Sequence, residues 1–171
     1  MLRSRSTLPI FALLTLAACG NSEGGGDSTG PAPERFSATL AGTSVVPVTT
    51  STNTGSVTFS MVPGDSILKF ELSVANMSGI TQAHLHTAAA GANGTVLAWL
   101  LPVNGNAAQA GSVALTGVIS LGDIAPSWIR GTPRLAMDSV VALLRAGRTY
   151  VDLHSTTSTN GELRGQVARV P

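Results

Sequence analysis

The chain has 171 residues, of which 43% are hydrophobic, 11% charged and 4% aromatic, and its formal net charge is +1. The apolar fraction suffices for one packed domain, which excludes a charged, disordered chain. Ten basic residues stand against nine acidic ones, with Lys69 the sole lysine, which excludes the basic footprint of a nucleic-acid binder.

The N-terminus reads as an address. Met1–Ser6 carries Arg3 and Arg5 and no acid, and Leu8–Ala18 is an apolar run. Roughly 20 apolar residues are needed to span a bilayer, so this run is too short, and it fits a secretory signal. Removing Arg3 and Arg5 leaves eight basic against nine acidic residues, or −1. Leu16-Ala17-Ala18-Cys19 resembles the lipobox of bacterial lipoproteins, which is cut before the cysteine. The resemblance implies that Cys19 is acylated, palmitate included, and holds the chain at a membrane without a spanning segment. Cys19 is the single cysteine, so no internal disulfide is expected. Gly20 in the next position resembles the pattern sorted to the outer membrane, which implies a periplasmic or surface-facing protein. Residues 20–34 are rich in Gly, Ser and Pro without a large apolar group, and read as a flexible linker. The division expected is a signal at 1–18, a lipidated cysteine and linker at 19–34, and one domain at 35–171.

From Phe36 onward, period-two alternation predicts strands. Phe36, Ala38 and Leu40 alternate with Ser37 and Thr39; Val57, Phe59 and Met61 alternate with Thr58 and Ser60; Leu68, Phe70, Leu72 and Val74 alternate with Lys69, Glu71 and Ser73. Further strands are predicted over Thr81–Thr87, Thr95–Leu101, Ser112–Ser120, Thr149–Ser155 and Glu162–Val170. Asn93-Gly94 reads as a tight turn. About eight strands separated by turn residues predict an all-β antiparallel sandwich or barrel, such as a Greek-key sandwich. Ala136–Ala146 carries Val140, Leu143 and Leu144 at helical spacing. It predicts one short helix, capped by Asp138 or Ser139 and stopped at Gly147. Another helical turn is expected within Asp123–Arg130.

The three histidines are the most informative residues. His84 and His86 flank Leu85, so on a strand both imidazoles share one face. On the predicted strand Tyr150–His154, Tyr150, Asp152 and His154 share a face. Glu162, Arg164 and Gln166 share a face of the next strand, and the two segments are expected to form a hairpin.

The spaced motifs Ala83-His84-Leu85-His86, Gly91-Ala92-Asn93-Gly94-Thr95-Val96, Gly147–His154 and Gly161-Glu162-Leu163-Arg164-Gly165-Gln166 resemble the CHRD domain, the module named after chordin. The opening Leu40–Val48 fits the family's start, except that a glutamate usual near Ser44 is missing. The resemblance runs from about Phe36 to Val170. It implies a β domain in an exported binding protein, with a protein or other envelope component as partner, and says little about mechanism.

Two readings of the histidines follow from the residues. In one, His84, His86 and His154 hold copper or zinc, for which imidazole is a common ligand, with Asp152 as fourth ligand or as the acceptor that orients a ring. A His-x-His strand also resembles the copper strand of superoxide dismutases, which implies redox activity. That pattern has further histidines and a disulfide, both missing here. In the other, His84 and His86 join Tyr150, Asp152, Glu162 and Arg164 in a structural polar network, Glu162 and Arg164 forming an ion pair. No nucleophile elbow, phosphate loop or paired acid–base carboxylates are present. The expectation is a lipid-anchored envelope domain with a binding or structural, non-enzymatic role, and the alternative is a copper or zinc protein.

Overall fold

The structure, a computed structural model, describes residues 32–61, 64, 66–101 and 115–171. The signal, Cys19 and nearly all of the linker lie outside them, as do the first residues of the strand expected at Ser112–Ser120.

Nine strands are described: β1 (Glu34–Ala41), β2 (Thr54–Met61), β3 (Leu68–Met77), β4 (Ile80–Thr87), β5 (Val96–Leu101), β6 (Leu115–Ile124), β7 (Thr149–Ser155), β8 (Leu163–Gln166) and β9 (Ala168–Val170). The alternation places them for a simple reason: one face must leave water. In β3, Leu68, Phe70, Leu72 and Val74 are buried while Lys69 and Glu71 are exposed. Phe36, Phe59 and Phe70 pair in register across β1, β2 and β3 and form a buried aromatic row.

The strands make one antiparallel sheet in the order β5-β4-β7-β8-β1-β2-β3-β6, with β9 also paired to β1. The end strands β5 and β6 approach each other. The sheet is therefore curled and sandwich-like, with continuous hydrogen bonding, rather than two separate layers. The span predicted as one strand at Glu162–Val170 divides in two. Arg164 of β8 pairs with Ala41, Ala168–Val170 of β9 pair with Arg35–Ser37, and buried Val167 sits between.

The helix α1 (Met137–Arg145) buries Met137, Val140, Val141 and Leu144 in the core. Its start corrects the sequence reading. The cap is Ala136, and neither Asp138 nor Ser139 caps it; no side-chain cap bond is made. Asp138 instead lies in the first turn, where a negative charge suits the helix dipole. Gly147, at φ +62°, ends the helical path as expected. Arg145 grips Glu34 through two bonds of 2.9 Å, tying α1 to β1. The turn expected near Asp123–Arg130 is a 3₁₀ helix at Pro126–Trp128.

β8 lies so close to β1 that a Cβ on Gly165 would overlap the Thr39 carbonyl oxygen and crowd Leu40. Gly165→Ala is expected to cost about 1–3 kcal/mol through this overpacking, read as a lowered midpoint in chemical denaturation. An unchanged midpoint would contradict the packing described.

Candidate metal centre

Strand register assembles the site. Trp99, His84, Asp152 and Arg164 form one transverse row across β5, β4, β7 and β8. One step along, His86 pairs with Tyr150, and in the other direction Gln82 pairs with His154. Leu85, Val151 and Leu153 turn into the core. Alternation sends His84, His86, Tyr150, Asp152 and His154 to the opposite face. All four of the sequence-nominated ligands meet there.

Asp152 is the centre. Its Oδ1 lies 3.2 Å from His84 Nδ1. Its Oδ2 lies 3.1 Å from His86 Nε2 and 3.2 Å from His154 Nε2. One ligand-type atom from each of His84, Asp152 and His154 falls within 4.8 Å of the others. His84, His86 and Asp152 are buried and His154 nearly so.

The outer ring nitrogens settle what the inner ones carry. His86 Nδ1 is 2.9 Å from the Gly94 carbonyl oxygen, and His154 Nδ1 is 2.8 Å from that of Thr159. A carbonyl oxygen only accepts, so each Nδ1 donates a proton. In the neutral rings, each Nε2 then holds a bare lone pair. Two lone pairs and an anionic oxygen thus crowd together. Neither Nε2 makes an aligned hydrogen bond, and His84 Nε2 is also buried without a partner. Such a group repels itself until a cation enters, either a proton or a metal ion. Backbone carbonyls that fix the tautomer from outside are what imidazole ligands use to present Nε2 to a metal.

A second set of groups frames the cluster. The Tyr150 ring stacks on His86 at 4.8 Å and 11°, and the Arg164 guanidinium lies 3.5 Å from the Tyr150 centroid on a cation–π contact. Arg164 donates to Asn93 Oδ1 at 2.8 Å and to the Ala92 carbonyl at 2.6 Å. The Tyr150 hydroxyl accepts from the Gly94 amide at 3.2 Å. The Trp99 ring meets His84 edge-on at 4.6 Å.

Two sequence readings are corrected here. Glu162 does not pair with Arg164; it is buried, and its Oε1 accepts from Ser51 Oγ at 2.9 Å and Asn53 Nδ2 at 2.7 Å. The shared strand face did not bring the two together because Glu162 precedes β8 and lies against the segment before β2. The turn predicted at Asn93-Gly94 lies earlier: Ala92 N–H donates to the Ala89 carbonyl, and Gly91 takes φ +78°. Asn93 and Gly94 run on beneath the cluster instead. A Cβ on Gly94 would overlap the Thr87 carbonyl oxygen, so only glycine fits where the Gly94 carbonyl meets His86. The roles of the Gly94 and Thr159 carbonyls carry no sequence signal, since any residue has a carbonyl.

Protonation in the metal-free protein has a definite sign. Burial pushes the Asp152 carboxyl up, but the adjacent imidazoles of His154, His84 and His86 outweigh it and hold it well below the usual carboxylate range. Burial pushes His154 down, but the Asp152 carboxylate and the Thr159 carbonyl outweigh it, so it is raised. A lowered acid contributes stability above its ordinary value of 3.8 that is lost as pH falls. A raised imidazole contributes stability below its ordinary value of 6.5 that is lost as pH rises through its folded-state value. Metal-free protein is therefore expected to melt highest between these two values, with Asp152→Asn flattening the profile. Thermal melts in chelator across the acid-to-alkaline range check it, and a Tm that climbs steadily through neutrality would contradict it.

The family model of the CHRD domain matches residues 36–167, from β1 through β8. No curated protein and no solved structure matches the chain. The matched span contains every residue of the row and of its frame, and the chain belongs to the CHRD domain family.

Proposed function

We propose that this chain is an exported, lipid-anchored cell-envelope protein whose CHRD domain binds one copper or zinc ion in a non-enzymatic role. One observation carries the metal reading. Two imidazole lone pairs face a single carboxylate oxygen at 3.1 and 3.2 Å, with no aligned hydrogen bond to relieve them. His84, His154 and Asp152 would supply three donors, and His86, against the same carboxylate, completes a nitrogen-rich set suited to either ion. The anchor reading is supported by the apolar run ending in Leu16-Ala17-Ala18-Cys19. Among the described residues no helix is long and apolar enough to cross a membrane, and a lipid on Cys19 needs none.

A structural role for the frame stands beside this. Arg164, Asn93 and Tyr150 link β7, β8 and the segment before β5, and Asn93 reaches on to the Val46 carbonyl at 2.9 Å. These bonds position the cluster and need no metal.

Purified protein without a histidine tag is expected to bind one equivalent of copper or zinc. His86→Ala and His154→Ala are each expected to weaken it by about 10–100-fold or more while the circular dichroism spectrum persists. Copper(II) is expected to quench Trp99, whose ring touches His84. Undiminished uptake in both variants would remove the site. For the anchor, cells fed a fatty-acid probe are expected to label the wild-type chain, and Cys19→Ser is expected to lose both label and membrane association. Labelling of the Cys19→Ser variant would rule out this cysteine as the attachment point.

A further inference from the structure

Beside the cluster lies a cleft of about 280 Å³ whose walls include His86, Asp152, His154, Asn93, Tyr150 and Arg164. Arg164 is only 3% exposed. Its two hydrogen bonds go to neutral oxygens, and its face rests on Tyr150. Among the described residues, no carboxylate lies within ion-pair distance of it. Glu162, two positions away, is engaged by Ser51 and Asn53. A buried cation without a counter-charge is costly unless an anion can join it. The two bonds occupy two of the five guanidinium N–H groups, leaving donors for a ligand.

The cluster adds to this imbalance when loaded. A divalent ion held by neutral imidazoles and the single charge of Asp152 keeps a net positive charge, and Arg164 lines the same cleft. We propose that this cleft binds a small inorganic or carboxylate anion, held jointly by the metal and by Arg164. The inference rests on the metal reading for one of its two contacts. The cleft lies just below the usual size of small-molecule pockets, and an anion of a few atoms fits within it. Stacking on Tyr150 and the bond to Asn93 hold the guanidinium in place beforehand, so little ordering is required on binding.

The test is an azide titration of the copper(II)-loaded protein, followed by the azide-to-copper charge-transfer band. Wild-type protein is expected to bind azide. Arg164→Gln is expected to keep its copper and lose azide affinity by about tenfold or more, the size of a lost charge-assisted hydrogen bond. Arg164→Lys is expected to fall between them, since a point charge replaces the fork. Should Arg164→Gln fail to fold, Asn93→Ala, which removes one of the guanidinium's two hydrogen bonds but keeps its charge, is expected to weaken azide severalfold at unchanged copper stoichiometry. Azide affinity that is the same in wild type and in the folded variants overturns the inference and leaves the metal reading standing. Absence of copper uptake by wild-type protein overturns both.

Discussion

A buried carboxylate must be compensated, and Asp152 stands among three imidazoles that compensate it once a proton or another cation joins them. Placed alone in a low-dielectric setting, the group would take up a proton and become neutral. Here the rings lie close enough to reverse that tendency, and the carboxyl is held low instead. The cost of burying the charge is thus converted into a demand for a cation between Asp152 and the rings. The strands and loops around the row set where each ring stands.

Compensation requires each ring to arrive in a fixed orientation. Strand pairing delivers His84 opposite Asp152, and alternation brings His86 and His154 to the same face. Two loop carbonyls, Gly94 and Thr159, then fix the rings from outside. The Gly94 carbonyl is held by the Tyr150 hydroxyl on the same residue's amide and by the close approach to Thr87, which admits no side chain. The Arg164 guanidinium layered on the Tyr150 and His86 rings extends this support outward. The cluster therefore sits on rigid strands with loops that complete it, which suits a preorganised binding site.

The rest of the domain supplies the platform. The apolar faces of β1, β2 and β3 bury a phenylalanine row, and α1 adds its own apolar face to the same core. The Glu34–Arg145 clamp and the division of labour between β8 and β9 along β1 hold the sheet's middle. Because β8 carries Arg164 and abuts β1 at Gly165, the core side of the sheet and the site side share a strand. Crowding at Gly165 would therefore be felt at the guanidinium.

The strands and the helix were legible in the sequence because burial imposes its own period. Val57, Phe59 and Met61 repeat at two, Val140 and Leu144 at four, and each repeat records which face leaves water. The shared face of His84 and His86, and of Tyr150, Asp152 and His154, was legible for the same reason. Three things were decided only by the tertiary structure. The register of β4 against β7 brought His84 to Asp152 across a separation of 68 residues, and local alternation carries no information about register between distant strands. The partners of Glu162 and Arg164 were set by where the loops at Ser51–Asn53 and Ala92–Gly94 lie, so a shared strand face did not make an ion pair. The tautomers were set by backbone carbonyls, which every residue possesses and no sequence pattern marks. The sequence alone determined which side chains face together, because that depends on neighbours along the chain. The structure decided what those side chains face, because that depends on segments far apart in the chain meeting in space.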